Sequence, residues 1–248
     1  MERSSLACVT WNLHRSVGRD GHLNAARTMA AIASTIVPTA PDILALQEAD
    51  SDDAPHQAIL NMEELGRMTG LQSVHDGDNM RWGPQSGGFL GNILLLDPAM
   101  TLRDRRILEL PGRCPRAAVL AEVEVAGHPL RIVSCHLSLA QALRAVQLRT
   151  VGQVLARRAP MQTILLGDLN EWRPWGGIAL SRPMMGMDLT GPVRRTFPAG
   201  CPLLPLDRIL TDNGTDVFDA RALNSDAIHA ASDHRPLAAR VELRGRAA

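Results

Sequence analysis

The segment ASDHRP, residues 231–236, sets an acid beside an imidazole close to the end of the chain. Upstream, apolar runs break at Asn12, Glu48, His136, Asp168 with Asn170, and Asp207, each where another hydrophobic residue would be expected. Carboxylates and carboxamides are hard oxygen donors of the kind that a small divalent cation takes, and such an ion needs few protein ligands. An imidazole beside a carboxylate has its tautomer fixed and its charged form favoured. Gathered at one rim, these groups would neutralise an anionic ester and present water to it.

Each residue also has a structural reading. Asn12 suits a strand-end cap, Glu48 a first solvated residue, and His136 a satisfied core histidine beside Cys135 and Leu137. Asp168 and Asn170 in GDLN suit an Asx-turn. Asp207 suits an ion pair with Arg208 or Arg195, and Asp233 with His234 a cap on the last strand. Their joint occurrence in one order carries the functional reading.

The elements that must position them can be traced. LACVTWNLH reads as a first strand with Asn12 and His14 at its exit. A helix over 23–37 follows, with Leu23, Ala26, Ala30, Ala33 and Val37 near helical spacing, stopped by Pro38 and Pro41. DILALQEAD is a strand, residues 55–69 read as a second helix closed by Gly70, and 76–88 as a loop. GNILLLD is a strand; AAVLAEVEVAG turns at Gly127-His128-Pro129 into the hairpin partner LRIVSCHLS. A helix over 139–158 leads to the buried strand TILLGDLN, the loop WRPWGG, and the last strands PLDRILTD and HRPLAARVEL. Consecutive strands around Gly127 require antiparallel pairing, which favours an α/β fold of mixed sheets with helices outside over a doubly wound sheet. Neither G-x-G-x-x-G after the first strand nor G-K-[ST] occurs.

The 248 residues suffice for one large domain, 1–248, and no repeat or linker divides them. The formal net charge is zero, which removes the bulk basicity of a protein that binds nucleic acid by charge alone, though not a local basic groove. There is no Lys, so lysine-based chemistry is excluded, and no Tyr. Cys8, Cys114, Cys135 and Cys201 form no C-x-x-C pair, which argues against structural zinc and for a reducing compartment. The N-terminus has no apolar signal core and no stretch is long enough to span a membrane, so a soluble, cytoplasmic protein is expected.

Taken in order, TWNLH, LALQEAD, GNILLL, SCHLS, GDLNEW, PLDRIL and SDHRP resemble the endonuclease/exonuclease/phosphatase superfamily, the DNase I-like phosphoesterases. The resemblance runs from about residue 9 to 241. It implies a four-layer αββα sandwich with two mixed, mainly antiparallel β-sheets. It also implies a catalytic divalent cation, usually Mg2+ with Mn2+ an alternative, and hydrolysis of a phosphate ester, most often a phosphodiester. Carried over, Glu48 resembles the principal metal ligand, with Asn12 beside it and Asp233 near the metal. Asp168 is similar to the acid that activates water, and Asn170 to the residue holding nucleophile and phosphoryl oxygen. His136 resembles a phosphate-contacting histidine, and Asp207 with His234 the family's Asp-His pair. Asn92 matches a station near the phosphate.

The chain departs from the nuclease pattern in lacking Tyr; Arg116 would supply a phosphate contact instead, since a guanidinium grips two oxygens. Trp82, Trp172 and Trp175 lie in loops where they would stack on a base, shield an apolar tail or simply pack. The substrate stays open among nucleic acid, a small phosphodiester and a lipid headgroup, as do endo or exo action, oligomeric state and the number of metals. The other reading, a binding protein that keeps the sandwich without its chemistry, requires lost stations, and here each is filled.

Overall fold

The computed structural model describes residues 4–212 and 215–244. In chain order the strands are β1 (Ser5–Asn12), β2 (Ile43–Gln47), β3 (Gln72–Ser73), β4 (Ile93–Leu96), β5 (Thr101–Leu110) and β6 (Arg116–Val125). Then come β7 (His128–His136), β8 (Gln162–Asp168), β9 (Leu189–Thr190), β10 (Asp207–Asp212), β11 (Val217–Ala222) and β12 (Leu237–Glu242). The helices are α1 (Ala25–Ala31), α2 (Met62–Thr69), α3 (Gln141–Leu155), α4 (Arg182–Met185) and α5 (Asp226–Ala231).

Two six-stranded sheets form, ordered β11-β12-β1-β2-β4-β3 and β5-β6-β7-β8-β10-β9. The β1–β2 and β7–β8 pairs are parallel and the other pairs antiparallel. Strand alternation explains the layering. In β1, Leu6 and Cys8 enter the core between the sheets, whereas Val9 and Trp11 pack outward with Ile32, Leu65 and Ile228 of the helical layer. In β8, Ile164 and Leu166 face inward and Leu165 packs outward with Leu148 and Val151 of α3. Strands buried on both faces read as continuous apolar runs, which is why these were legible in the sequence. The result is an αββα sandwich, with α1, α2 and α5 on one sheet and α3 and α4 on the other.

Several boundaries differ from the sequence expectation. The helix expected over 23–37 is α-helical only as α1, capped by the Asn24 side chain, and then passes through a π turn and a 3-10 turn containing Pro38. The helix expected over 55–69 begins only at Met62, behind an Asn61 cap with Glu63 and Glu64 in its first turn. Residues 58 and 59 instead give their backbone N–H groups to Gln85 and Ala49, so they cannot continue a helix. β5 was not foreseen because TLRDRRILEL is an edge strand whose charges face solvent, not an apolar alternation. β11 and α5 fill a stretch that the sequence patterns passed over. All four cysteines are free, and among the described residues no helix is long and apolar enough to cross a membrane.

Candidate active site

The alternation that builds the inner core also builds the site. Asn12 shares its face with Leu6 and Cys8, and His136, Asp168 and Asp207 share theirs with Ile132, Ile164 and Ile209. Each is the inward position at one strand end, so the seam between the sheets turns from aliphatic to polar at one rim. Register aligns them: His136 lies opposite Asp168, and Asp168 opposite Asp207. Gly167 permits this closeness, because a Cβ there would meet the Cys135 carbonyl oxygen at 1.9 Å and its φ is +138°.

Glu48 and Asn170 follow β2 and β8 in the left-handed region, both with φ of +51°. Non-glycine residues held there are strained, and strain of this kind concentrates at functional sites. Asn12 donates through Nδ2 to Asp168 Oδ2 at 2.9 Å and more weakly to Glu48 Oε1 at 3.4 Å. His136 Nε2 stands 3.6 Å from the same Asp168 oxygen and 3.8 Å from the same Glu48 oxygen. His234 crosses the seam: it precedes β12 of one sheet, yet its Nδ1 lies 2.9 Å from Oδ2 of Asp207 in the other. Its Nε2 points toward Asp168 Oδ2 at 3.9 Å. Asn170 donates from Nδ2 to the Leu137 carbonyl, and its backbone N–H goes to Asp168 Oδ1.

Burial sets the charges. Desolvation and the charges of Arg116, His234 and Arg15 hold His136 well below the ordinary histidine range, so it is a neutral imidazole. Desolvation also opposes charge on His234, but the charge and hydrogen bond of Asp207, with Asp168 and Asp233, win and raise it to about 10. Asp168 is pushed up to about 6, chiefly by burial, with Asp207 adding to the rise and His234 and Asn12 opposing it. One imidazolium, one neutral imidazole and one carboxylate that exchanges protons near neutrality thus share the rim.

The donor chemistry fits a hard cation. Glu48 and Asp168 bring carboxylate oxygens from separate strands to one imidazole nitrogen, and Asp207 Oδ1 and Asp233 Oδ1 are buried oxygens without a hydrogen-bond partner. Among the described residues, Asp168, Asp207 and His234 bring polar atoms within 4.8 Å of one another, but His234 held as imidazolium offers a cation no lone pair, so the two carboxylates are that group's hard donors. The expected ligands are not gathered equally. Asn12 Oδ1 accepts the His14 N–H at 2.9 Å, so its amide turns N–H rather than oxygen toward the carboxylates. Glu48 and Asp233 both stand outside the three-residue group: Glu48 Oε2 is held by Arg15 at 2.7 Å, and Asp233 Oδ1 lies 3.8 Å from His14 Nδ1. Asn92 is buried with its amide between the sheets, donating to the Ala117 carbonyl at 2.9 Å and accepting from Ser134 Oγ at 3.0 Å. Arg116 lines a cleft of about 260 Å³ with Arg15, Glu48 and Cys114.

The family model for the endonuclease/exonuclease/phosphatase family matches residues 9–234, from β1 to the histidine that crosses the seam. The chain belongs to the endonuclease/exonuclease/phosphatase family. Members of this family are metal-dependent phosphodiesterases or nucleases, hydrolases of phosphate esters. A curated Escherichia coli relative, the uncharacterized protein YbhP, is 28% identical over 164 residues, covering 63% of this chain and 64% of that protein. The alignment thus spans less than two thirds of the relative's length. Among solved structures of similar fold, the human Nocturnin catalytic domain with bound sulfate superposes with a TM-score of 0.70 at 20% identity, covering 97% of this chain and 95% of that one. D. rerio TDP2 complexed with single-strand DNA product gives a TM-score of 0.68 at 18% identity, covering 96% and 99%.

Within this family member the geometry adds residues that the sequence motifs did not single out. Arg15 binds Glu48 Oε2 at 2.7 Å and Asp52 Oδ2 at 2.6 Å from a left-handed turn in which His14, Arg15 and Ser16 all have positive φ. Ser232 donates from Oγ to the Asn12 carbonyl and accepts the His234 N–H, while Trp11 Nε1 donates to the His234 carbonyl. The bonds to Asn12 and from Trp11 staple the SDH segment to the end of β1, and the third braces the segment itself. Thr196 Oγ1 donates to Asp207 Oδ2 at 2.5 Å and completes its alignment. Ser232 was visible beside the Asp-His pair; Thr196, eleven residues before its partner, left no pattern to read.

Proposed function

We propose that this chain hydrolyses a phosphodiester with the aid of a divalent cation, Mg2+ or Mn2+. The observation that carries the reading is His234 held at 2.9 Å by Asp207 across the seam, with its Nε2 aimed toward Asp168. Glu48 is the assigned anchor of the cation, with the unpartnered Asp233 oxygen and, once its amide turns, Asn12 as further ligands. When bound, the cation supplies Lewis acidity at the phosphoryl oxygen.

The chain's own groups do the rest. Asp168, with a proton affinity matched to neutral pH, takes the proton from the attacking water. A new P–O bond forms as the ester P–O bond breaks in line, and the departing oxygen takes a proton from solvent. His234, kept charged by Asp207, donates from Nε2 to the phosphoryl oxygens as negative charge gathers there. His136, neutral, donates to a second oxygen, and Arg116 grips the ester from the cleft side. Asn170 orients water and phosphate from its strained turn. Asn92, with its amide committed to Ala117 and Ser134, holds β4 against β7 and so positions His136.

The test is a panel of substrates with Mg2+: single- and double-stranded DNA, RNA, bis-p-nitrophenyl phosphate, inositol phosphates and phospholipids. Turnover of at least one phosphodiester that EDTA abolishes and Mg2+ or Mn2+ restores is expected; activity indifferent to chelator removes the metal. A companion measurement needs no substrate. At a hundredfold excess of Mn2+ over its dissociation constant, binding stabilises by about 2.7 kcal/mol, a rise of about 5–10 °C in melting temperature. Glu48→Gln should remove most of that rise. An equal shift in the variant would take Glu48 out of the metal site.

A further inference from the structure

The loops at the catalytic rim of the second sheet expose several large apolar side chains. Leu139, three residues beyond His136, is 78% exposed. Beyond Asp168 follow Trp172 at 49%, Trp175 at 76% and Ile178 at 62%, and Leu203, just before Asp207, is 60% exposed. Register places His136, Asp168 and Asp207 side by side, so these loops border one mouth. Scattered exposed leucines need no explanation, but a group beside a reactive site does.

Beneath them the loops are anchored by buried charge. Glu171 is wholly buried and receives Arg144 Nη2 at 3.3 Å, Arg173 Nη1 at 2.8 Å and the Arg173 backbone N–H. Arg144 also donates to the Leu139 carbonyl, Arg173 to Gln141 Oε1, and Arg208 to the Glu171 and Arg173 carbonyls. Buried ion pairs are costly to desolvate and give at best modest net stability. Here they hold Trp172, Trp175 and Ile178 outward on a rigid base, where a solvent-facing loop would gain nothing from such fixation.

Charge completes the pattern. Although the whole chain is neutral, segments 111–116, 137–144, 172–180 and 195–206 contain Arg113, Arg116, Arg144, Arg173 and Arg195 and no Asp or Glu. With Arg144 and Arg173 engaged by Glu171, Arg113 and Arg195 remain exposed and Arg116 half-buried. Across the mouth, segment 48–53 carries Glu48, Asp50, Asp52 and Asp53. Exposed Trp, Leu and Ile with Arg113 and Arg195 on neighbouring segments of the same side, the acids lying across the mouth, are the chemistry of a protein that sets that side on an anionic lipid surface. Stacking on nucleobases fits less well, since Arg173 already covers a Trp172 face at 4.5 Å and the remaining side chains include aliphatic ones.

We infer that this rim docks on an anionic phospholipid surface and that the phosphodiester cleaved is one presented there. The substrate half of the inference rests on the phosphoesterase reading; the docking half does not. The experiment uses the full chain with vesicles of phosphatidylglycerol and phosphatidylcholine in equal parts, against pure phosphatidylcholine. Wild type should sediment with the anionic vesicles with about tenfold or greater preference, and its tryptophan emission should shift to the blue. Leu139→Ser/Trp175→Ser should lose at least about tenfold of that binding while hydrolysing bis-p-nitrophenyl phosphate within about twofold of wild type. Trp175→Ser alone, with a smaller loss, guards against misfolding of the double variant. The inference is overturned if wild type stays in the supernatant or if the variants sediment equally. Tight binding of oligothymidylate, lost in the same variants, would assign the rim to nucleic acid instead. Absence of soluble-ester turnover alone would sink the phosphoesterase reading and leave docking standing.

Discussion

Replacing His234 with alanine lowers kcat on a soluble phosphodiester by about 10²- to 10³-fold, with KM changed only a few-fold. The reason lies in when the side chain is needed. In the proposed reaction its Nε2, directed toward Asp168, faces the place where phosphoryl charge accumulates, so its contribution grows toward the transition state. Asp207→Asn supplies the more diagnostic companion. In the native arrangement burial disfavours the imidazolium, and the charge and hydrogen bond of Asp207 reverse that to give a value of about 10. His234 therefore stays charged across neutral pH and its loss of a proton cannot limit wild-type turnover below about pH 9. Without the Asp207 charge and hydrogen bond the balance moves toward desolvation and the value falls, with only Asp168 and Asp233 left to oppose it. The alkaline limb of the pH–kcat profile should move down by at least about two units in Asp207→Asn. Identical alkaline limbs in the two proteins would remove the charged-His234 role, whatever the effect on rate.

Asp168→Asn should abolish turnover, by about 10³-fold or more, and yet stabilise the metal-free protein. Burial raises the Asp168 carboxyl to about 6 in the folded state, above its unfolded value. An acid raised in this way favours folding fully below the unfolded pKa, near 4, and that support is lost as pH climbs through about 6. At pH 7.5 in EDTA the ionised group therefore costs about 2–3 kcal/mol, of which the one hydrogen bond the amide can no longer accept, from Asn12 Nδ2 or from the Asn170 N–H, takes back part. A melting temperature a few degrees above wild type is expected at pH 7.5, with the gap closing toward pH 4. Calorimetry of both proteins from pH 4 to 8 in chelator checks this. A variant less stable than wild type at pH 7.5 would mean that Asp168 is structural.

The sheets and their polar exits were legible because the strands buried on both faces spell themselves as unbroken apolar runs. Asn12, His136, Asp168 and Asp207 interrupt such runs at the inward parity, and that interruption is visible without coordinates. What the chain did not spell was whatever depends on orientation or on distant partners. No pattern announces that Asn12 turns its N–H inward, that Asn92 spends its amide on Ala117 and Ser134, or that Thr196 aligns Asp207. Arg15 lay beside a motif yet gave no sign of reaching Glu48 and Asp52. β5 and α2 were missed or overextended because charged edges and caps decide them, not hydrophobic period. The exposed rim was legible only in part: Trp172 and Trp175 were set in a loop with stacking, shielding and packing left open, while Leu139, Ile178 and Leu203 gave no sign of facing solvent.

The bond from His234 to Asp207 is one of a few polar ties between the two slabs at this end, beside those from Asn12 to Asp168 and from Asn92 to Ala117 and Ser134; the rest of the lamination is aliphatic. Nothing in either ladder fixes how far one slab slides over the other; Ile164, Leu166, Ile209 and their facing partners do. A slide of an ångström would part imidazole from carboxylate while leaving each sheet whole. The proposed catalytic apparatus is therefore a gauge of interlayer alignment, and loosened lamination would silence it well before the polypeptide comes apart.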